Sequence, residues 1–340
     1  MMTHPIAVLV LASFLWLQTA PATANDTPAS FAAAQQLAAK GRLDQALAQL
    51  NELAAQVPEP AGVERLRGII FYQREQLQEA IQAFTSAMVQ DTNDRESTEM
   101  LGVSLFRTGH SSEALPYLEK AHAAVVNANV DPEYVLGLCY SDVQRYDDAR
   151  HAFARQYGFA LDSPESYLLA GRLFFRREFV DEAMIQARKA LEMNPVLPLA
   201  HQLLGEALLA KGDTSGAIRE LEAERKINPL SGILYDRLGD AYIRNGDYEQ
   251  AQQSLNRAVL LEPGATAPYI LLGETFLKMN QPVQALHYLD HAAKMDPSNY
   301  ITHNLLGQAY KATGQRAEAE REFRLVVEMQ HNEVQQPAGK

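Results

Sequence analysis

Alanine recurs at Ala46, Ala80, Ala114, Ala149, Ala183, Ala217, Ala251, Ala285 and Ala319, every 34 residues except for one step of 35 between Ala114 and Ala149. Twelve residues before each alanine after the first stands a glycine: Gly68, Gly102, Gly137, Gly171, Gly205, Gly239, Gly273 and Gly307. Ala34 takes that place in the first unit. A fixed period of this length marks a small structural unit repeated in tandem, in which each copy buries its apolar face against its neighbours.

The unit is seen most clearly at Ile233–Pro263, where Asn245-Gly246-Asp247 separates two apolar-periodic stretches and a proline closes the second. Larger residues surround the small ones at helical spacing. Leu204, Leu238, Leu272 and Leu306 precede their glycines, and Tyr140, Tyr242 and Tyr310 follow three residues later. Phe84, Leu118, Phe153, Leu221, Leu255, Leu289 and Phe323 lie four residues after the alanines. Each set falls on one helix face. Glycine inside a helix costs about 1 kcal/mol against alanine, so its repeated use there implies two backbones packed too closely for a side chain. Gly109, Gly212, Gly246 and Gly314 fall at turns between the two helices of their units. Pro58, Pro195, Pro229, Pro263 and Pro297 mark ends of second helices.

Together, Leu-Gly-x-x-Tyr as at Leu238–Tyr242, the recurring alanine, the bulky residue four positions on and the closing proline resemble the tetratricopeptide repeat family. The resemblance covers about Thr27 to His331. It implies an all-α, right-handed superhelical solenoid of antiparallel helix pairs, with a concave groove lined by the first helix of each pair. Residues 25–331 are then an array of about nine units, at 27–60, 61–94, 95–129, 130–163, 164–197, 198–231, 232–265, 266–299 and 300–331, and 332–340 a flexible tail. Some units depart from the pattern. Gln156 and Glu224 stand where a small apolar residue is usual, and Ala187 replaces the bulky residue. The extra residue near Asn127–Asn129 and the Ser163-Pro164 junction flank the fourth unit and predict an irregularity or hinge at 127–164.

The first 24 residues contain no Asp, Glu, Lys or Arg. Ile6–Leu17 is an apolar run of 12 residues, too short to span a membrane, which takes about 20. With Ala22-Thr23-Ala24 behind it, it reads as a secretory signal peptide, with Asn25 as the first mature residue, although no Lys or Arg precedes the run. The expected location is therefore periplasmic or extracellular.

With 47% hydrophobic and 21% charged residues the chain can build a large core. Its net charge of −12 and lack of a basic stripe argue against nucleic acid as partner. One cysteine, Cys139, cannot form an internal disulfide. Its counterparts Ala207, Ala241 and Ala309 are small, which suggests a buried thiol. There is no phosphate-binding glycine loop and no G-x-S-x-G turn. His287 and His291 are four apart on one helix, but Tyr288 stands where an H-E-x-x-H zinc site needs Glu, so a solvated pair is expected. No cofactor or metal is implied.

The family resemblance implies that the first helix of each unit lines a concave face, and the register then gives two candidate rows there. One row follows each glycine: Ile69, Val103, Leu138, Arg172, Glu206, Asp240, Glu274 and Gln308. Another lies four residues on: Gln73, Arg107, Asp142, Arg176, Ala210, Arg244, Lys278 and Ala312. The first row runs from apolar to basic to acidic. It suggests apolar contact in the amino-terminal half and a basic or polar peptide in the carboxyl-terminal half. Local i,i+4 pairing of Asp240 with Arg244 and of Glu274 with Lys278 is the plainer explanation of the charges. Arg172 and Arg176 are like charges one turn apart and call for an anion, either Asp142 or a ligand. Some co-chaperone members of the family clamp a terminal carboxylate with Lys and Asn. Here Gln202/Glu206 and Asp236/Asp240 stand in those places, so that partner is not implied.

The expectation is a non-enzymatic, exported scaffold that binds a protein or peptide in its groove, with Arg172, Arg176, Glu206, Asp240 and Glu274 as polar contacts. An accessory or assembly factor of cell-envelope or secretion machinery is the alternative, and a small-ligand binder a weaker one.

Overall fold

The computed structural model of the chain describes residues 30–122 and 132–335. The expected signal segment and part of the expected irregularity at 127–164 lie outside them. Among the described residues every regular element is a helix. The chain divides after Leu161 into two compact units, inside the stretch where the sequence predicts an irregularity. The first unit holds α1 (Phe31–Ala39), α2 (Leu43–Ala54), α3 (Val63–Gln73), α4 (Leu77–Gln90), α5 (Arg95–Arg107), α6 (Ser111–His122), α7 (Pro132–Asp142) and α8 (Tyr146–Tyr157). The second holds α9 (Pro164–Arg176), α10 (Val180–Met193), α11 (Ala200–Ala210), α12 (Thr214–Ile227), α13 (Gly232–Asn245), α14 (Tyr248–Leu261), α15 (Thr266–Lys278), α16 (Pro282–Met295), α17 (Tyr300–Ala312) and α18 (Arg316–Gln335). The last helix runs on to Gln335, through the first residues of the segment expected to be a tail.

Odd- and even-numbered helices pack as pairs, and each pair packs on the next within its unit. The close approach predicted at the glycines is present. A methyl on Gly205 would stand 2.7 Å from Cγ of Leu221, well inside van der Waals contact. Gly68 meets Phe84, Gly102 meets Leu118, Gly137 meets Phe153, Gly239 meets Leu255, Gly273 meets Leu289 and Gly307 meets Phe323 in the same way. Gly171 is the exception, because its bulky counterpart is Ala187. Leu203 from the following pair fills the space, 2.9 Å from where the methyl would be. The alanines from Ala46 to Ala285 are fully buried at the same contact, and Ala319 is nearly so. Cys139 is fully buried, as its small counterparts suggest.

The turn inside each pair has one backbone form. A residue with positive φ stands at Gly41, Glu75, Gly109, Gln144, Glu178, Gly212, Gly246, Asn280 and Gly314. The next N–H reaches back to a carbonyl in the last turn of the first helix, as Asp213 does to Leu208 at 3.0 Å and Asp247 to Tyr242 at 2.9 Å. This is the Schellman ending, which satisfies a carbonyl the helix would otherwise leave unpaired. At Glu75, Gln144 and Glu178 an ordinary side chain holds the left-handed conformation that glycine adopts without strain.

Tyrosines connect successive pairs. Tyr242 on α13 donates to Glu222 on α12 at 3.0 Å, Tyr140 on α7 to Glu119 on α6 at 2.8 Å, and Tyr310 on α17 to Asp290 on α16 at 3.4 Å. Burial first, and then the neighbouring carboxylate, pushes the Tyr242 hydroxyl up to about 12 and moves Tyr140 and Tyr310 in the same direction. A second set ties α11, α13, α15 and α17 to the loop before each. Tyr235 donates to the carbonyl of Pro229 and Tyr269 to that of Pro263, both at 3.3 Å. His201 and His303 take the equivalent place, with Nε2 3.2 Å from Pro195 O and 3.0 Å from Pro297 O.

Two stability tests follow. Glu178→Gly is expected to raise the urea unfolding midpoint, by about 0.5–1 kcal/mol, and Gly212→Ala to lower it by about 1 kcal/mol. Tyr242→Phe is expected to cost about 1 kcal/mol near neutrality. The folded state holds the Tyr242 proton more tightly than the unfolded chain, whose tyrosines titrate near about 10. Its contribution is therefore complete below about pH 10 and lost as pH rises toward 12. Thermal melts of wild type and Tyr242→Phe should converge over that window.

Candidate functional site

Within each unit, successive first helices touch one another: α1, α3, α5 and α7 in one, and α9, α11, α13, α15 and α17 in the other. Successive second helices make no comparable approach among the described residues. The first helices therefore line the inner side of each unit's own curvature.

The apolar half of that face does not survive. Val103 is 3% exposed and Leu138 9%, so these side chains belong to the core and offer no apolar contact surface. Ile69 is half-buried.

In the second unit the row is charged and half-buried from Arg172 to Glu274, while Gln308 is neutral and exposed. Arg172 is half-buried on α9, and Arg176 is exposed in the last turn of that helix, where a cation suits the helix dipole. Neither makes a hydrogen bond or ion pair among the described residues. Asp142 belongs to the other unit and accepts a hydrogen bond from the Ser111 hydroxyl. Glu206 on α11 accepts from Gln202 Nε2 at 2.8 Å and meets Arg237 Nε of α13 at 3.4 Å. Asp240 accepts from Arg244 Nε at 2.9 Å, the expected one-turn pair. The corresponding Glu274–Lys278 pair does not form: Glu274 is half-buried, Lys278 is exposed, and neither has an ionic partner among the described residues.

Asp236, one turn before Asp240, does not stand out by residue type or spacing. Its side chain is 14% exposed, Arg237 lies 3.6 Å from Oδ2, and Oδ1 is buried with no hydrogen bond among the described residues. Burial raises its carboxyl above the usual aspartate range. Asp240 and Glu262 raise it further, against a lowering by Arg237. Gln202 holds the equivalent position on α11. It is 4% exposed, and its Oε1 is likewise buried without a donor. Charge count in the sequence does not reveal such unmet acceptors.

One polar departure from the pattern is satisfied internally. Glu224 is fully buried, yet its carboxylate accepts from the backbone N–H of Leu199 at 2.8 Å and of Gln202 at 3.4 Å. It caps α11, whose own N-cap residue, Leu199, has no side-chain acceptor, and the positive end of that helix favours the charge. His287 and His291 are both exposed. The first lies edge-on to Tyr288 and the second 4.5 Å from the Tyr269 ring. Among the described residues no group of three or more His, Cys, Asp or Glu side chains is placed to hold a metal ion. No described helix is long and apolar enough to cross a membrane.

Family models described as tetratricopeptide repeat match residues 31–95, 134–198, 168–231, 233–265 and 276–337. No curated protein matches the chain. Among solved structures, MamA from Desulfovibrio magneticus RS-1 is 22% identical over 52% of this chain and 98% of its own, with a TM-score of 0.48. YrrB, described as a TPR protein with an unusual peptide-binding site, is 19% identical over 54% of this chain and 95% of its own, at 0.47. PilF of Pseudomonas aeruginosa is 20% identical over 49% and 76%, at 0.45.

Proposed function

The chain belongs to the tetratricopeptide repeat family, and from that premise we propose that it is a non-enzymatic scaffold that binds a protein or peptide partner along the first-helix face of its second unit. One observation carries this reading: half-buried charges on that face are incompletely compensated. Arg172 and Glu274 have no partner among the described residues, and Asp236 keeps an unmet oxygen. A charge partly removed from water and without a protein partner keeps its capacity to pair, and an incoming group of opposite charge can use it. Extended solenoid faces suit such binding because many shallow contacts add along a surface. The most perturbed hydroxyls, by contrast, are accounted for by the tyrosine links between pairs. They form no convergent acid–base pair of the kind a reaction would use.

The partner contacts are Arg172, Arg176, Glu206, Asp240 and Glu274. The test is to capture partners with the full chain, identify them, remake them and measure affinity. Reversing Arg172→Glu with Arg176→Glu, or Asp240→Lys with Glu274→Lys, is expected to weaken the purified partner at least about tenfold, the scale of one lost charge-assisted contact. Glu249→Lys on the second helix α14 should leave it unchanged. The opposite ranking assigns the partner to the outer face, as an accessory factor of envelope or secretion machinery would use it.

We also infer export, from Ile6–Leu17 followed by Ala22-Thr23-Ala24. Amino-terminal sequencing of protein recovered outside the cytoplasm should begin at Asn25. Recovery of an intact amino terminus from the cytoplasm alone contradicts it.

A further inference from the structure

We propose that the second unit anchors a lysine or arginine side chain of its partner against Asp236, and that the chain's own Arg237 holds that place in the free protein. The proposal rests on the groove reading above and specifies its central contact.

Gln202 and Asp236 sit at the same register of successive first helices, 34 residues apart. Each presents a buried oxygen with no donor among the described residues, Oε1 of Gln202 and Oδ1 of Asp236. The two helices touch, and a single guanidinium, that of Arg237, reaches both Glu206 beside Gln202 and Asp236 itself, at 3.4 and 3.6 Å. Acceptors thus converge from α11 and α13, and donors are in deficit. A carboxylate or phosphate would add acceptors and negative charge to a place that already has both in excess. An apolar side chain would leave the orphan oxygens unmet. A donor-only cation supplies what is missing, with charge opposite to Asp236, Asp240, Glu206 and Glu262.

Arg237 is a poor resident. Its side chain is 46% exposed, its contacts are long for charge-assisted bonds, and it divides its charge between two carboxylates. It leaves Asp236 Oδ1 unsatisfied. A long, half-exposed arginine can swing into solvent at little cost and admit a cation that approaches more directly.

The probe is fluorescein-labelled hexalysine, with labelled hexaglutamate for comparison, titrated into the full chain by fluorescence anisotropy at low salt. Asp236→Asn is expected to weaken hexalysine roughly tenfold without lowering the melting temperature, since burial already disfavours that charge. Arg237→Ala is expected to tighten hexalysine several-fold. Glu79→Gln and Arg316→Ala, which make the same changes in net charge at exposed positions elsewhere, should move affinity less than twofold, and Asp236→Asn should not weaken hexaglutamate; equal weakening of both peptides overturns the anchor. Failure of hexalysine to bind wild type overturns the proposal, as does an Asp236→Asn affinity equal to that of Glu79→Gln. If Asp236→Asn does not fold, Arg237→Ala decides: tightening beyond Arg316→Ala supports the anchor, and equality with it overturns the anchor. These outcomes are separate from the groove reading. That reading falls only if the purified partner ignores reversal of the row from Arg172 to Glu274.

Discussion

In nearly every helix pair the backbone of the first helix rests directly on a leucine or phenylalanine of the second. The contact at Gly205 and Leu221 leaves no room for a single methyl group. Most of what is regular in the structure depends on this approach. It fixes how far apart the two helices of a pair run. It makes the small residues at Ala217 and its counterparts necessary, and it sets the register in which the next pair docks. Where the bulky partner is missing, at Ala187, Leu203 of the next pair occupies the same space. The constraint is on volume at the contact, and the chain meets it with whichever neighbour can reach.

The same register decides what is left over for function. Once glycine, alanine and their bulky partners point inward, the residue after a glycine lies at the edge of that contact: Val103 and Leu138 join the core, while Arg172, Glu206, Asp240 and Glu274 stay half-buried. Many polar groups near that face are absorbed by the fold. Glu224 caps α11, Tyr242 ties α13 to α12, and His201 and His303 hold the loops after Pro195 and Pro297. The row from Arg172 to Glu274, with Asp236 and Gln202 beside it, is not fully absorbed. Its residues retain charge and hydrogen-bonding capacity that packing has partly removed from water.

Much of the architecture is legible in the amino-acid sequence, because close packing forces residue type at fixed spacing. Gly239, Ala251 and Leu255 each have one sterically allowed role, and their recurrence exposes it. The left-handed turn is legible at Gly212 and Gly246 but not at Glu75, Gln144 or Glu178, where nothing in the residue type announces a positive φ. The face is only partly legible. Spacing locates Glu206, Asp240 and Glu274, yet Val103 and Leu138 in the same row are core. Asp240 pairs with Arg244 as the one-turn rule suggests, while Glu274 and Lys278, at identical spacing, do not. Whether a polar atom finds a donor depends on neighbouring helices, so the orphan oxygens of Asp236 and Gln202 emerge only from the assembled fold.

The inner face of the second unit thus keeps a carboxylate whose charge is disfavoured in the free protein and restored by a bound cation. Carbon-13 detection of the Asp236 carboxyl during a pH titration reads this directly. The expected midpoint lies above the ordinary aspartate range in the free chain, because burial, Asp240 and Glu262 oppose ionisation, and it should fall when hexalysine is added. A midpoint in the free chain at or below that of an exposed aspartate, unmoved by the cation, would contradict it.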